Sequence, residues 1–77
     1  MLIDFQSHCY STIRASDLKR DGMGLELSCD TRLIAEIFYS DVTGEFTISL
    51  FEQSIPLPII EQFIAEARID LVPVSQS

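Results

Sequence analysis

Hydrophobic and polar residues alternate most regularly in the second half of the chain. Phe46, Ile48 and Leu50 are separated by single polar residues. This two-residue period is typical of a β-strand that buries one face and exposes the other. The pattern predicts a strand over residues 45–52.

A helical period follows this strand. Apolar residues recur there at spacings of three and four, as expected for one stripe along a helix. The stripe consists of Ile60, Phe63, Ile64, Ala67 and Leu71. Pro58 suits the first helical turn because its missing N–H would be unpaired there, and Pro73 stops the helix. The sequence therefore predicts a helix over residues 58–71 and a frayed tail at 72–77.

Two further strands precede the strand at residues 45–52 and form a meander with it. The connection Asp41-Val42-Thr43-Gly44 contains turn-forming residues, so residues 33–40 form a hairpin with residues 45–52. A three-residue loop at residues 30–32 adds a strand over 24–29, because a two-residue loop would bury Glu26. The predicted inner-face pairs are Tyr39 with Phe46, Ile37 with Ile48, Ala35 with Leu50, and Leu25, Leu27 and Cys29 with Ile37, Ala35 and Leu33.

These elements predict an α+β fold in a single domain over residues 1–77. A three- to four-stranded antiparallel sheet, with its meander at residues 24–52, packs on one C-terminal helix. The fourth strand would be an edge strand near the start of the chain, and residues 1–23 otherwise have no clear period. Ile48 and Phe63 are expected at the centre of the contact between sheet and helix.

The charge of the chain narrows the choice of partners. Five Lys and Arg against 12 Asp and Glu give a net charge of -7 and a pI near 4.3. This balance opposes binding to nucleic acid or to anionic membrane surfaces, so we expect a basic protein partner. The start Met1-Leu2-Ile3-Asp4-Phe5 is unlike a signal peptide, and no apolar run is long enough to span a membrane. The predicted location is the cytoplasm.

No motif indicates catalysis or a cofactor, and the chain is predicted not to be an enzyme. The only histidine, His8, directly precedes Cys9, and neighbours in a strand point to opposite faces. With Cys29 they supply three of the four ligands of a structural zinc site, without a paired CxxC spacing. We expect no metal, no cofactor and free thiols, because two cysteines are sparse for a disulfide scaffold.

The candidate partner-binding residues lie on the other face of the predicted sheet. The register sets Glu26 opposite Glu36, an arrangement that is destabilising unless a cation lies on the pair or solvent screens it. Ile34, Phe38 and Phe51 form an apolar cluster beside these carboxylates. Either the N-terminal segment covers the cluster or the cluster is an exposed docking surface. The covering side chains would be Phe5, Tyr10 or Ile13.

Four segments share their layout with many short acidic bacterial proteins. They are Arg20-Asp21-Gly22-Met23-Gly24-Leu25-Glu26-Leu27, Ala35-Glu36-Ile37-Phe38, Phe46-Thr47-Ile48-Ser49-Leu50-Phe51-Glu52 and Ile55-Pro56-Leu57. In this patterning, over residues 20–71, the chain resembles immunity proteins that are encoded beside polymorphic toxins. The resemblance implies a protein that neutralises a basic partner, such as a nuclease toxin, by covering its active site or substrate surface. It transfers no site residue.

Self-association is the alternative function. Small domains often gain buried surface by forming homodimers, through a sheet face or an edge strand. In that case the chain would be a homo-oligomerising structural or assembly module of a larger complex.

Overall fold

The computed structural model describes residues 1–71, which form a five-stranded antiparallel sheet and one helix. The elements are β1 Leu2–Phe5, β2 His8–Asp17, β3 Gly22–Cys29, β4 Arg32–Ser40, β5 Phe46–Leu50 and α1 Leu57–Asp70. Each strand pairs with the next along the chain. The predicted α+β class, the meander and the C-terminal helix are confirmed, whereas three to four strands is too low a number. The predicted tail at 72–77 lies outside the described residues.

Strands β1 and β2 occupy the N-terminal region in which the sequence has no clear period. The turn residues Gln6 and Ser7 have φ values of 51° and 68°, the left-handed conformation that two-residue hairpin turns require. β2 lacks alternation because it also carries polar side chains on the helix side. There Thr12 donates a hydrogen bond to Glu66 at 2.8 Å, and Arg14 donates one to the Asp70 carbonyl at 3.5 Å.

The predicted pairing of β4 with β5 is confirmed, and the pairing of β3 with β4 is confirmed as far as a β-bulge. Residues 30–31 form a two-residue turn, not the predicted three-residue loop. Beyond the bulge the pairs are Ser28 with Leu33 and Cys29 with Arg32. Ile34 is the additional residue of β4. Because the bulge absorbs one residue, a two-residue turn is compatible with keeping Glu26 out of the core.

The core lies between α1 and the middle of the sheet. Its largest fully buried side chains are Phe63 and Ile59 of the helix and Leu25 and Leu27 of β3. Ala67 and Leu71 continue the buried stripe of the helix. The predicted stripe is correct for Phe63, Ala67 and Leu71, but the helix is rotated so that Ile59 is buried in place of Ile64.

The central role predicted for Ile48 is wrong, because 45% of this residue is exposed. Its cross-strand neighbour Ile37 is buried beneath the helix. Strand β5 is the last strand of the sheet, and the buried helix residues contact the inner strands. The apolar side of β5 therefore extends beyond the cover that α1 provides.

Candidate functional site

The sheet face opposite α1 carries the predicted pair of carboxylates. A cross-strand row runs from Ile13 of β2 through Glu26 and Glu36 to Ser49 of β5. We call this side of the sheet the outer face and define it by these four residues. The row confirms the predicted register of Glu26 and Glu36, and both side chains are half-buried.

The structure does not assemble the predicted apolar cluster around these carboxylates. The bulge places Ile34 in the core on the helix side, whereas Phe51 follows the end of β5 and is exposed. A backbone hydrogen bond of 2.9 Å from the Phe51 N–H to the Ile34 carbonyl joins their main chains. Phe38 remains on the outer face but is buried. Three of the five candidate residues, Glu26, Glu36 and Phe38, therefore share one face.

Arg20 covers Phe38, a role that sequence reasoning gave to the N-terminal segment. The Arg20 guanidinium carbon lies 4.1 Å from the centre of the Phe38 ring, within the range of a cation–π contact. The same guanidinium donates to Glu36 at 3.0 Å and to Asp17. Of the proposed covering residues, Tyr10 belongs to the core on the helix side and Ile13 is exposed.

The Arg20 contacts also explain how two facing glutamates are tolerated. The cation lies against Glu36 and so offsets its repulsion of Glu26. Of the two alternatives given by the sequence, a cation on the pair or screening by solvent, this contact corresponds to the first. Sequence reasoning missed Arg20 because it belongs to the turn between β2 and β3, whose strand β2 had no visible period. Gly22 and Gly24 were the available signal, since glycine within a strand marks a close approach of other groups.

The hydrogen bond from Arg20 holds the pKa of Asp17 below its ordinary value. A carboxyl group whose pKa is lowered by folding stabilises the fold fully above its unfolded pKa, near ~3.9, and loses this contribution as the pH falls through the folded value. We expect Arg20→Gln to raise the pKa of Asp17 towards its ordinary value in an NMR titration of the carboxyl carbon.

Lys19→Gln is the matched control for this substitution. The backbone N–H of Lys19, not its side chain, donates to Asp17, at 3.1 Å. The pKa of Asp17 should therefore stay lowered in this variant. Equal shifts in both variants would mean that general positive charge, and not the Arg20 contact, lowers the pKa.

The outer face is acidic. Asp4 and Asp17 accompany the two glutamates, and Arg20 is the cation that pairs with this group. Small residues separate the charges, and a shallow cavity of about 140 Å³ is lined by Ala15, Ser16, Asp17, Arg20, Gly24, Glu26 and Glu36. Beside it, Ile13 is 64% exposed. Leu2 and Leu33 point to the same face and are 76% and 42% exposed, so the surface combines negative charge with several exposed apolar side chains.

A second cluster lies where the turns after β1 and β3 meet. His8 Nδ1 donates to Asp30 at 2.9 Å, and the ligand atoms of His8, Cys29 and Asp30 lie within 4.8 Å of one another. Imidazole, thiolate and carboxylate are donors that transition metals accept. Asp30, however, also accepts the Cys9 N–H at 3.0 Å, so its carboxylate has a structural role that joins two hairpins.

One thiol belongs to this cluster, and the other follows His8 in the chain. Cys9 and Cys29 are free. Burial, with a smaller effect of Asp4, raises the pKa of the Cys9 thiol. The thiolate, which is the nucleophile and the metal ligand, is therefore disfavoured at Cys9.

Comparison with known proteins finds no matching family model, no similar curated protein and no similar solved structure. Within residues 1–71, no helix has the length and apolar character needed to cross a membrane.

Proposed function

We propose that this chain is a non-enzymatic protein-binding domain that receives a basic protein on its outer face, as an immunity or inhibitor protein for a toxin such as a nuclease. The observation that carries the proposal is the row of Ile13, Glu26 and Glu36 across a sheet face on which no helix of residues 1–71 packs. This row offers a partner both charge and an apolar contact.

Charge supports a basic partner in two ways. The net charge of -7 favours encounter with a cationic surface over long range, and the outer-face carboxylates fix the position of closest approach. Among residues 1–71, Glu36 has a salt bridge, to Arg20, and Glu26 has none. Glu26 is then the carboxylate most available to a lysine or arginine of the partner.

The apolar part of the contact is expected at Ile13. Its side chain stands beside Glu26, and the neighbouring residues Ala15 and Gly24 are small. A partner side chain can therefore approach the sheet closely and exclude water from the carboxylates. Desolvated centres of this kind, surrounded by polar residues, dominate the energy of most protein interfaces.

The test begins with capture of partners by the tagged protein in its native host under reducing conditions. A captured protein counts only when it is basic and binds again as a purified component. With that component, Glu26→Lys should weaken binding by at least ~10-fold, mainly through slower association, and raised salt should slow association of the wild type.

Glu61→Lys is the matched control, because it makes the same charge change on an exposed position of α1. It should leave affinity within about threefold of the wild type. Equal losses of affinity in both variants would mean that only the net charge matters. No loss of affinity in either variant would mean that the outer face is not the binding surface. The alternative function of self-association would use a different surface, the edge of β5.

A further inference from the structure

The free edge of β5 has backbone groups that point away from the sheet. The Glu45 carbonyl accepts the Ser40 N–H at 3.0 Å, and the Phe51 N–H donates to Ile34 at 2.9 Å. Backbone groups alternate in direction along an antiparallel strand, so those of Phe46, Ile48 and Leu50 point outwards. Within residues 1–71, no strand pairs with this edge.

The same three residues direct partly exposed side chains to the helix side of the sheet. Phe46, Ile48 and Leu50 are 37%, 45% and 57% exposed, and Ile64 of α1 faces them. Between strand and helix lies an open cavity of about 140 Å³, lined by Ile37, Phe46, Thr47, Ile48, Ile64, Ala67 and Arg68. We call Phe46, Ile48, Leu50 and Ile64 the β5 edge.

Apart from its short length of five residues, the β5 edge lacks the features that usually prevent strand pairing. Natural edge strands are short, charged or interrupted by proline or a bulge. β1, the other edge of the sheet, has only four residues and carries Asp4. β5 has no charged residue, no proline and no bulge. It is the edge of this sheet that is open to another strand.

We propose that β5 pairs antiparallel with β5 of a second copy of this chain, about a two-fold axis at Ile48, to give a continuous ten-stranded sheet. This homodimer goes beyond the proposed function and uses a different surface. A register centred on Ile48 pairs Phe46 with Leu50 of the partner subunit and overlaps the whole strand. It also matches the outward-pointing backbone groups of the two strands.

Charge opposes self-association, but this register keeps the repulsion small. Two chains with a net charge of -7 repel each other, so their closest contact must avoid opposed carboxylates. Glu45 and Glu52 flank the strand, and the register places Glu45 beside Phe51 of the partner subunit and Glu52 beside Gly44 of the partner subunit. The only uncharged strand of the sheet thus becomes the contact.

The exposed apolar area of the β5 edge is modest. Its four apolar side chains are 37–57% exposed and together present on the order of 300 Å². The strand backbone, Phe51 and the flank of α1 add to this. A stable interface buries roughly 800 Å² per partner, so the edge and its surroundings suit a modest, reversible dimer.

The test is the mass of the untagged protein in reducing buffer, by light scattering and sedimentation over a wide range of concentration. We expect twice the 8.7 kDa chain mass at high concentration and dissociation on dilution. A monomer at every concentration up to about millimolar would overturn the proposal, because a dimer weaker than this lacks any reasonable interface energy.

Variants locate the interface. Ile48→Lys should weaken the dimer by about 100-fold, since two lysines would meet at the axis. Ile13→Lys, the matched control on the outer face, should leave the dimer intact and disturb only the binding of a basic partner. A dimer that survives Ile48→Lys would rule out the β5 edge. The two variants therefore distinguish a failure of the dimer proposal from a failure of the proposed binding of a basic partner.

Hydrogen exchange removes any dependence on the folding of the variant. In the wild type, the amides of Phe46, Ile48 and Leu50 should be protected at high concentration and should lose this protection on dilution. Protection of these amides that does not change as the mass changes would contradict pairing through β5, whether or not Ile48→Lys folds.

Discussion

Replacing Phe63 by alanine is expected to lower the free energy of unfolding by about 3–5 kcal/mol. Phe63 has 0% exposure and lies at the centre of the contact between α1 and the sheet. Its removal loses the burial of an aromatic ring and leaves a cavity that the surrounding strands cannot fully close. Urea denaturation, followed by circular dichroism, measures the change.

Phe51→Ala provides the control for the loss of a phenyl ring. Phe51 is exposed after the end of β5, so its truncation should change stability by no more than about 0.5 kcal/mol at concentrations where the chain is monomeric. Similar losses in the two variants would mean that helix and sheet do not pack through Phe63. The difference matters for a small domain, because the total stability is expected near 5–15 kcal/mol.

The strand register of the meander was predictable because its side chains obey two constraints at once. Ile37 has to lie beside Ile48 for the apolar sides of β4 and β5 to coincide, and the turn length between these strands fits that pairing. Glu26 and Glu36 follow as the opposed residues of the other face. A shift of the register by one residue would have moved both sets of side chains to the opposite faces, so few other registers are compatible with the sequence.

Strand β2 was not predictable from alternation because the side that faces the helix carries polar residues, of which Thr12 is partly buried and Arg14 is exposed. Thr12 contacts Glu66, a residue 54 positions further along the chain, and Arg14 reaches the end of α1. A polar residue that pairs with a polar partner at the margin of the core leaves no mark in local hydrophobicity. Single-chain periodicity detects burial only when burial is apolar.

The sequence predicted the charged residues of the outer face but not the side chain that covers it. The register sufficed for Glu26 and Glu36, whereas the position of Arg20 depends on the turn that follows β2. Ile34 moved to the core because a bulge changed the side to which it points. A feature that depends on a single bulge or turn residue is therefore not predictable from strict alternation of apolar and polar positions.

The sheet therefore offers two different binding surfaces, the outer face and the β5 edge. The outer face is polar and acidic, which suits a partner that is recognised by charge. The β5 edge is apolar and offers unpaired backbone groups, which suits addition of a strand. Because the two lie on different parts of the domain, a dimer through β5 leaves the row of Ile13, Glu26 and Glu36 accessible in both subunits.

The close packing beneath Arg20 gives the second large expected effect: Gly22→Ala should cost about 1–3 kcal/mol of stability. A Cβ atom at Gly22 would overlap the backbone carbonyl oxygen of Tyr39 and would lie 2.6 Å from Phe38 Cζ. The ring can turn aside only by leaving its place under Arg20. The carbonyl can move only by disturbing the pairing of β3 with β4.

Gly24→Ala is the matched control two residues away in the same strand. The nearest atom to its added methyl group would be Glu36 Oε2 at 3.1 Å, which also accepts from Arg20, whereas the nearest backbone atom, the Ala15 carbonyl oxygen, would lie at 3.8 Å. The control should change stability by no more than about 1 kcal/mol, because only a side chain has to shift and alanine also restricts the unfolded chain. Thermal melts of both variants, with the pKa of Asp17 as a local probe, separate the two cases. Equal destabilisation would point to a general intolerance of β3, whereas loss at Gly22 alone would mean that this glycine is needed to bring Phe38 and Arg20 together on the outer face.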